Sequence, residues 1–216
     1  MLCACLHILP VCAFPPRTSG VAFRGVASEE EKLDMRREFD NSLKLARKLL
    51  AETRSLIRVF MSERLPGAHL DLMKNQGDFP KISIRNTQWL SLPIMERLRV
   101  LGDSFHVYSS YLEVIAEYER SQQHSSIEPG LTNVRLDLRD LLHHVQHQMS
   151  FAHGTPLSKP VQIPGHFLHP SSTWKAQVQA LITLRHLEQF LGRAVREFTL
   201  LRFSVTRHFP TSPAAS

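Results

Sequence analysis

Beyond residue 12 this 216-residue chain has no cysteine. Its three, Cys3, Cys5 and Cys12, all lie in an apolar N-terminal stretch. A chain trimmed of that stretch has no disulfide and is held by its core alone, which about 200 residues can supply. Glycine is scarce, at nine residues. None of the nine completes G-x-G-x-x-G, G-x-x-x-x-G-K-[ST] or G-x-S-x-G, and H-E-x-x-H is missing too. The usual signatures of dinucleotide and phosphate binding, serine hydrolysis and zinc proteolysis are therefore absent. No apolar run approaches the ~20 residues that span a bilayer, which excludes a multi-pass membrane protein. No dense Lys/Arg block exists: 26 basic against 20 acidic residues give a formal charge of +6, thinly spread. That pattern gives no reason to expect nucleic-acid binding. No N-x-[ST] acceptor is present, since Asn41 precedes Ser-Leu and Asn86 precedes Thr-Gln.

What remains is ordinary globular composition, 43% hydrophobic and 21% charged, which argues against wholesale disorder. Leu2 to Ala13 is apolar apart from His7 and ends in Val11-Cys12-Ala13, followed by Phe14-Pro15-Pro16. This reads as a secretory signal peptide over 1–13, cut after Ala13. Residues 14–27 read as a flexible arm, 28–206 as a four-helix bundle and 207–216 as a disordered tail.

Four helical patterns fill the bundle. Ser28-Glu29-Glu30-Glu31 has the form of a capping box. Phe39, Leu43, Ala46, Leu50, Ile57 and Phe60 then recur at three, four and seven residues until Pro66-Gly67 stops the helix. A second helix begins near Pro93 and carries Leu98, Leu101, Phe105, Tyr108, Leu112 and Ile115. It fades at 121–126, and Pro129-Gly130 completes a short turn. The third runs from about Thr132 to Ala152 on Val134, Leu138, Leu141, Val145 and Met149. A proline-rich, non-helical connection from Thr155 to Pro170 follows. Ser171-Ser172-Thr173 caps the fourth helix, Trp174 to about Thr206, whose stripe is Val178, Leu181, Leu184, Leu187, Leu191, Ala194, Val195, Phe198, Leu201 and Val205.

No segment alternates with period two, so the class is all-α. The connections are long, short, long. Up-down-up-down bundles need only about 2–8 residues per loop. A connection of roughly 25 residues can run back along a helix about 40 Å long, leaving the next helix parallel to it. The pattern predicts a long-chain, up-up-down-down four-helix bundle.

Candidate chemistry is sparse. His143 and His147 share a helix face with His144 beside them, and with no Cys or acidic residue grouped there they read as a polar outer surface. No metal or cofactor is expected, and no catalytic constellation emerges. The two tryptophans, Trp89 at the end of the first long connection and Trp174 in the first turn of the fourth helix, have two readings. Each packs under a loop, or each stands clear of the core as a protein-binding anchor.

Several runs resemble the interleukin-27 alpha-subunit family of the interleukin-6 group. They are Leu33 to Phe39, Ser42 to Leu50, Leu65-Pro66-Gly67, Val134 to Leu141 and Arg193-Ala194-Val195-Arg196-Glu197. The order of segments is also preserved. The family's mammalian members carry a run of glutamates before the last helix, where this chain has Pro160, Pro164 and His166. The resemblance implies a secreted, non-enzymatic cytokine subunit paired without a disulfide to a soluble-receptor-like beta subunit. The pair would engage the interleukin-27 receptor alpha chain and the shared signalling receptor of the interleukin-6 group, activating Janus kinases and STAT factors. By position it implies Trp89, Leu90, Arg193 and Arg196 at the beta subunit and Trp174 at the signalling receptor. Arg54, Arg58 and Arg139 are the candidates for the receptor alpha chain, on a face that can equally be a solvated basic surface. A free-standing cytokine of the ciliary neurotrophic factor type and a lipid-binding amphipathic-helix protein are the alternatives.

Overall fold

The computed structural model describes residues 29–68, 86–122, 126–151 and 161–207. The expected leader and arm, Ser28, residues 69–85, 123–125 and 152–160, and the tail from residue 208 lie outside these residues. Among the described residues six helices follow in order: α1 Glu29–Arg64, α2 Asn86–Ser91, α3 Ile94–Ser121, α4 Glu128–Phe151, α5 Gly165–Leu168 and α6 Thr173–Arg207. No strand occurs among the described residues.

Named pairs fix the direction of each long helix. Asp40 meets Arg202 and Arg54 meets Glu188, so α1 and α6 are antiparallel. Ser42 meets Gln148 and Lys48 meets Asp137, so α1 and α4 are antiparallel. Glu113 meets Arg135, so α3 runs against α4, and Arg97 meets Glu197, so α3 runs against α6. Arg64 and Glu119, each near the end of its helix, meet across the bundle, so α1 and α3 are parallel. This is the up-up-down-down arrangement that the connection lengths predict.

The apolar stripes meet in one core, with Leu43, Phe60, Leu101, Phe105, Leu138, Leu184 and Phe198 at 1% exposure or less. A lipid-binding helix would instead leave its stripe open. Phe190 of α6 packs edge-on to Phe105 at 5.5 Å and tilted against Tyr108 at 5.8 Å. The expected stripe is corrected at one residue of α1: Leu49 is fully buried and Leu50 only half. Both positions are apolar and adjacent, and a 3.6-residue period does not separate them without the partner helices.

Two local expectations also fail. α4 starts at Glu128, so Pro129 and Gly130 lie inside its first turn instead of forming the turn before it. Proline costs nothing there, because first-turn N–H groups have no intrahelical acceptor. Gly130 sits close to α1: a Cβ at that position would lie 3.0 Å from Leu56 Cδ1, and the leucine would have to give by a few tenths of an ångström. The proline-rich connection holds the single turn α5, entered from Pro164. Its Phe167 is buried edge-on to Tyr111 at 4.6 Å, which secures the turn against α3. Two caps are seen directly. Ser172 Oγ accepts from the Lys175 N–H at 3.3 Å, and Gly67, with φ +75°, turns the chain away after α1.

Between α1 and α4, Glu52 and Asp137 share Lys48, whose Nζ lies 3.6 Å and 2.8 Å from them. Desolvation, and then the Asp137 carboxylate, raise the Glu52 carboxyl above its ordinary value. A carboxyl raised in the folded state favours folding once protonated and disfavours it once ionised. Its cost is therefore present at neutral pH and fades as pH falls through the raised value. Glu52→Gln is expected to raise the melting temperature at pH 7 and to change it little at pH 4. Equal shifts at both pH values in calorimetry would refute this.

Candidate functional site

The first candidate region lies where α2, α3 and α6 converge. Glu197 is on α6 and only 1% exposed. The Trp89 indole N–H donates to Glu197 Oε2 at 2.8 Å, and Arg97 of α3 approaches Oε1 at 2.8 Å. Arg193, one turn before Glu197, places its guanidinium 5.2 Å from the centre of the Trp89 ring, within cation–π range. Burial, and then the neighbouring Arg196, lower the Arg193 guanidinium below its usual value. Arg196 is exposed, and neither arginine meets a carboxylate among the described residues.

Of the two readings of Trp89, standing clear of the core is not the one found. The side chain is 4% exposed, and the loop-packing reading is the one realised. The cause is a partner 108 residues away: Glu197 offers the indole a buried acceptor, and Arg193 covers the ring. Leu90 is in the same short helix, but its side chain lies outside the described residues. What solvent meets here is Arg193 and Arg196, with the indole as their support. The same stripe of α6 continues through Leu200 and Phe203, which are 48% and 47% exposed. Sequence reasoning missed both, because a single apolar residue off the main stripe carries little signal.

The second candidate region is at the other end of α6. Trp174 follows the Ser172 cap and is 52% exposed, the most exposed of the large apolar side chains described. From Trp174 to Arg196 the helix advances about 33 Å at 1.5 Å per residue.

The arginines of the third candidate face are not gathered into one patch. Arg54 leans towards α6, with its Nε 3.0 Å from Glu188 Oε1. Arg58 is exposed and meets no carboxylate among the described residues. Arg139 pairs with its neighbour Asp140 at 2.9 Å. One turn before it, Arg135 pairs with Glu113 of α3, so Arg139 belongs to the α3 side of α4. Arg54 and Arg139 therefore occupy opposite flanks of the α1–α4 pair.

His144 and His147 both approach Glu38 of α1, at 3.7 and 3.8 Å, a proximity the sequence did not reveal. Even so, no group of three metal-binding side chains is assembled among the described residues. The groove beside α5, lined by Tyr118, Phe167, Leu168 and Ala180, is apolar. Nor is any helix of the described residues long and apolar enough to cross a membrane.

Comparison with known proteins agrees with this architecture. The family profile described as Interleukin 11 matches residues 29–205, nearly the whole bundle. Interleukin-27 subunit alpha of Sus scrofa is 33% identical over 182 residues, covering 78% of this chain and 75% of that protein. Interleukin-27 subunit alpha of Homo sapiens is 29% identical over 194 residues, with the same coverage.

Proposed function

This chain belongs to the Interleukin 11 family of helical cytokines, and on that premise we propose that it is a secreted cytokine subunit that works by binding alone. The signal peptide is residues 1–13, and the mature bundle pairs without a disulfide with a soluble-receptor-like beta subunit. The pair engages the interleukin-27 receptor alpha chain and the shared interleukin-6-group signalling receptor, and Janus kinase/STAT signalling follows from bringing two receptor chains together. The name of the relatives, interleukin-27 subunit alpha, supports the heterodimer.

The observation that carries this reading is the separation of two recognition features on one rigid helix. Exposed Trp174 stands at the start of α6, and the Arg193–Arg196 face lies about 33 Å further along. Two partners can sit there without touching. In this reading the beta subunit meets Arg193 and Arg196, with Trp89 behind them, and Leu90 of the same short helix belongs to that surface. The signalling receptor takes Trp174, and the receptor alpha chain meets the outer faces of α1 and α4, at Arg54, Arg58 and Arg139. Exposed positive charge on these faces speeds encounter more than it tightens binding.

Trp174→Ala tests it. Half the ring is already in water, so stability is expected to stay within about 0.5 kcal/mol of wild type. Co-purification with the beta subunit should persist while STAT phosphorylation in responsive cells disappears. Full signalling by the variant would remove Trp174 from the receptor contact. Activity of the chain secreted alone, as a stable monomer, would favour the free-standing cytokine.

A further inference from the structure

The geometry points to Glu197 as the positioning residue that holds Trp89 in place and builds the arginine face, an assignment that rests on the pairing surface proposed above. Glu197 is 1% exposed, and a carboxylate so far from water persists only where its charge is matched. Its two oxygens go to two different elements. Oε2 accepts the Trp89 N–H of α2 at 2.8 Å, and Oε1 meets Arg97 in the first turn of α3 at 2.8 Å. One α6 side chain therefore ties the end of the first connection and the start of α3 to the same point of the bundle.

One guanidinium, Arg97 at 14% side-chain exposure, meets this carboxylate, while half-buried Arg193 covers the Trp89 ring and Arg196 is exposed beside it. Arg97 Nε and Arg193 Nη1 are buried without a hydrogen-bond acceptor among the described residues. Without Glu197 the indole loses its acceptor and Arg97 loses its carboxylate. Both losses act in one direction, releasing Trp89 from beneath Arg193.

The chain has two tryptophans, so Trp174→Phe leaves Trp89 as the sole emitter. In that background, Glu197→Ala should red-shift the emission and expose the indole to acrylamide, with far-UV circular dichroism unchanged. Affinity for the soluble beta subunit should fall by about tenfold or more, as loss of an interface anchor does. Glu197→Gln, whose amide oxygen still accepts the indole N–H, should keep the emission near wild type and lose less affinity. It carries the test if the alanine variant does not fold. Unchanged emission in Glu197→Ala overturns the assignment. So does a red shift with undiminished affinity. Arg196→Glu, which leaves the Trp89 bond intact, separates the two ideas. Full pairing by that variant defeats the pairing face, whereas the emission data concern Glu197 alone.

Discussion

Trp89→Ala is expected to cost roughly 3–5 kcal/mol of unfolding free energy, the range for removing a large buried aromatic. The indole is 4% exposed, so nearly its whole area is returned to a cavity. The variant also takes one of two partners from Glu197, leaving that carboxylate to Arg97. Arg193 loses the ring it rests on, so pairing with a beta subunit should fall as well. Trp89→Phe divides the two effects. It keeps a ring for Arg193 without an N–H for Glu197, and is expected to lie between wild type and alanine in both measurements. Urea denaturation followed by circular dichroism reads the first effect and co-purification reads the second. An alanine variant as stable as wild type would place Trp89 outside the core.

The second large effect is expected at Glu119. Its carboxylate is 1% exposed and accepts from Arg64 Nε at 3.1 Å, and the Arg64 side chain is itself only 9% exposed. Breaking a buried pair from one side costs about 3–5 kcal/mol, because the remaining charge stays buried with poor compensation, here from Glu63 at 3.9 Å from Arg64. Glu119→Ala should lose that much. Replacing both partners, Arg64→Met with Glu119→Leu, should recover most of it, since an apolar pair of similar volume has no charge to desolvate. A double-mutant cycle by chemical denaturation measures the coupling. A loss near zero for Glu119→Ala would mean that Arg64 swings out to water.

The topology was legible in the sequence because it depends on quantities that survive local error. Connection lengths of long, short, long permit few bundle arrangements, and a boundary shift of two residues changes none of them. The inward stripes of α3 and α6 were legible for a similar reason, since six and ten apolar residues in register outweigh any single misreading. The site was harder to read. Nothing near Trp89 announces an acceptor on the last helix, and the Glu38 carboxylate beside His144 and His147 is contributed by α1, more than a hundred residues earlier. Pro129 and Gly130 mislead because the same residues serve a turn and a first helical turn alike. In each miss the deciding partner lies on another helix, where periodicity along one chain segment has no access to it.

The register of α1 against α6 has a consequence for how the molecule comes to exist. The bonds Arg54–Glu188 and Asp40–Arg202 join residues 134 and 162 positions apart. The first helix to be synthesised is thus completed by the last. α3 and α4, joined by a short connection, can close on each other early, as local contacts do. α1 can cover one flank of its apolar stripe on α4, but the flank that meets α6 stays open until that helix has left the ribosome.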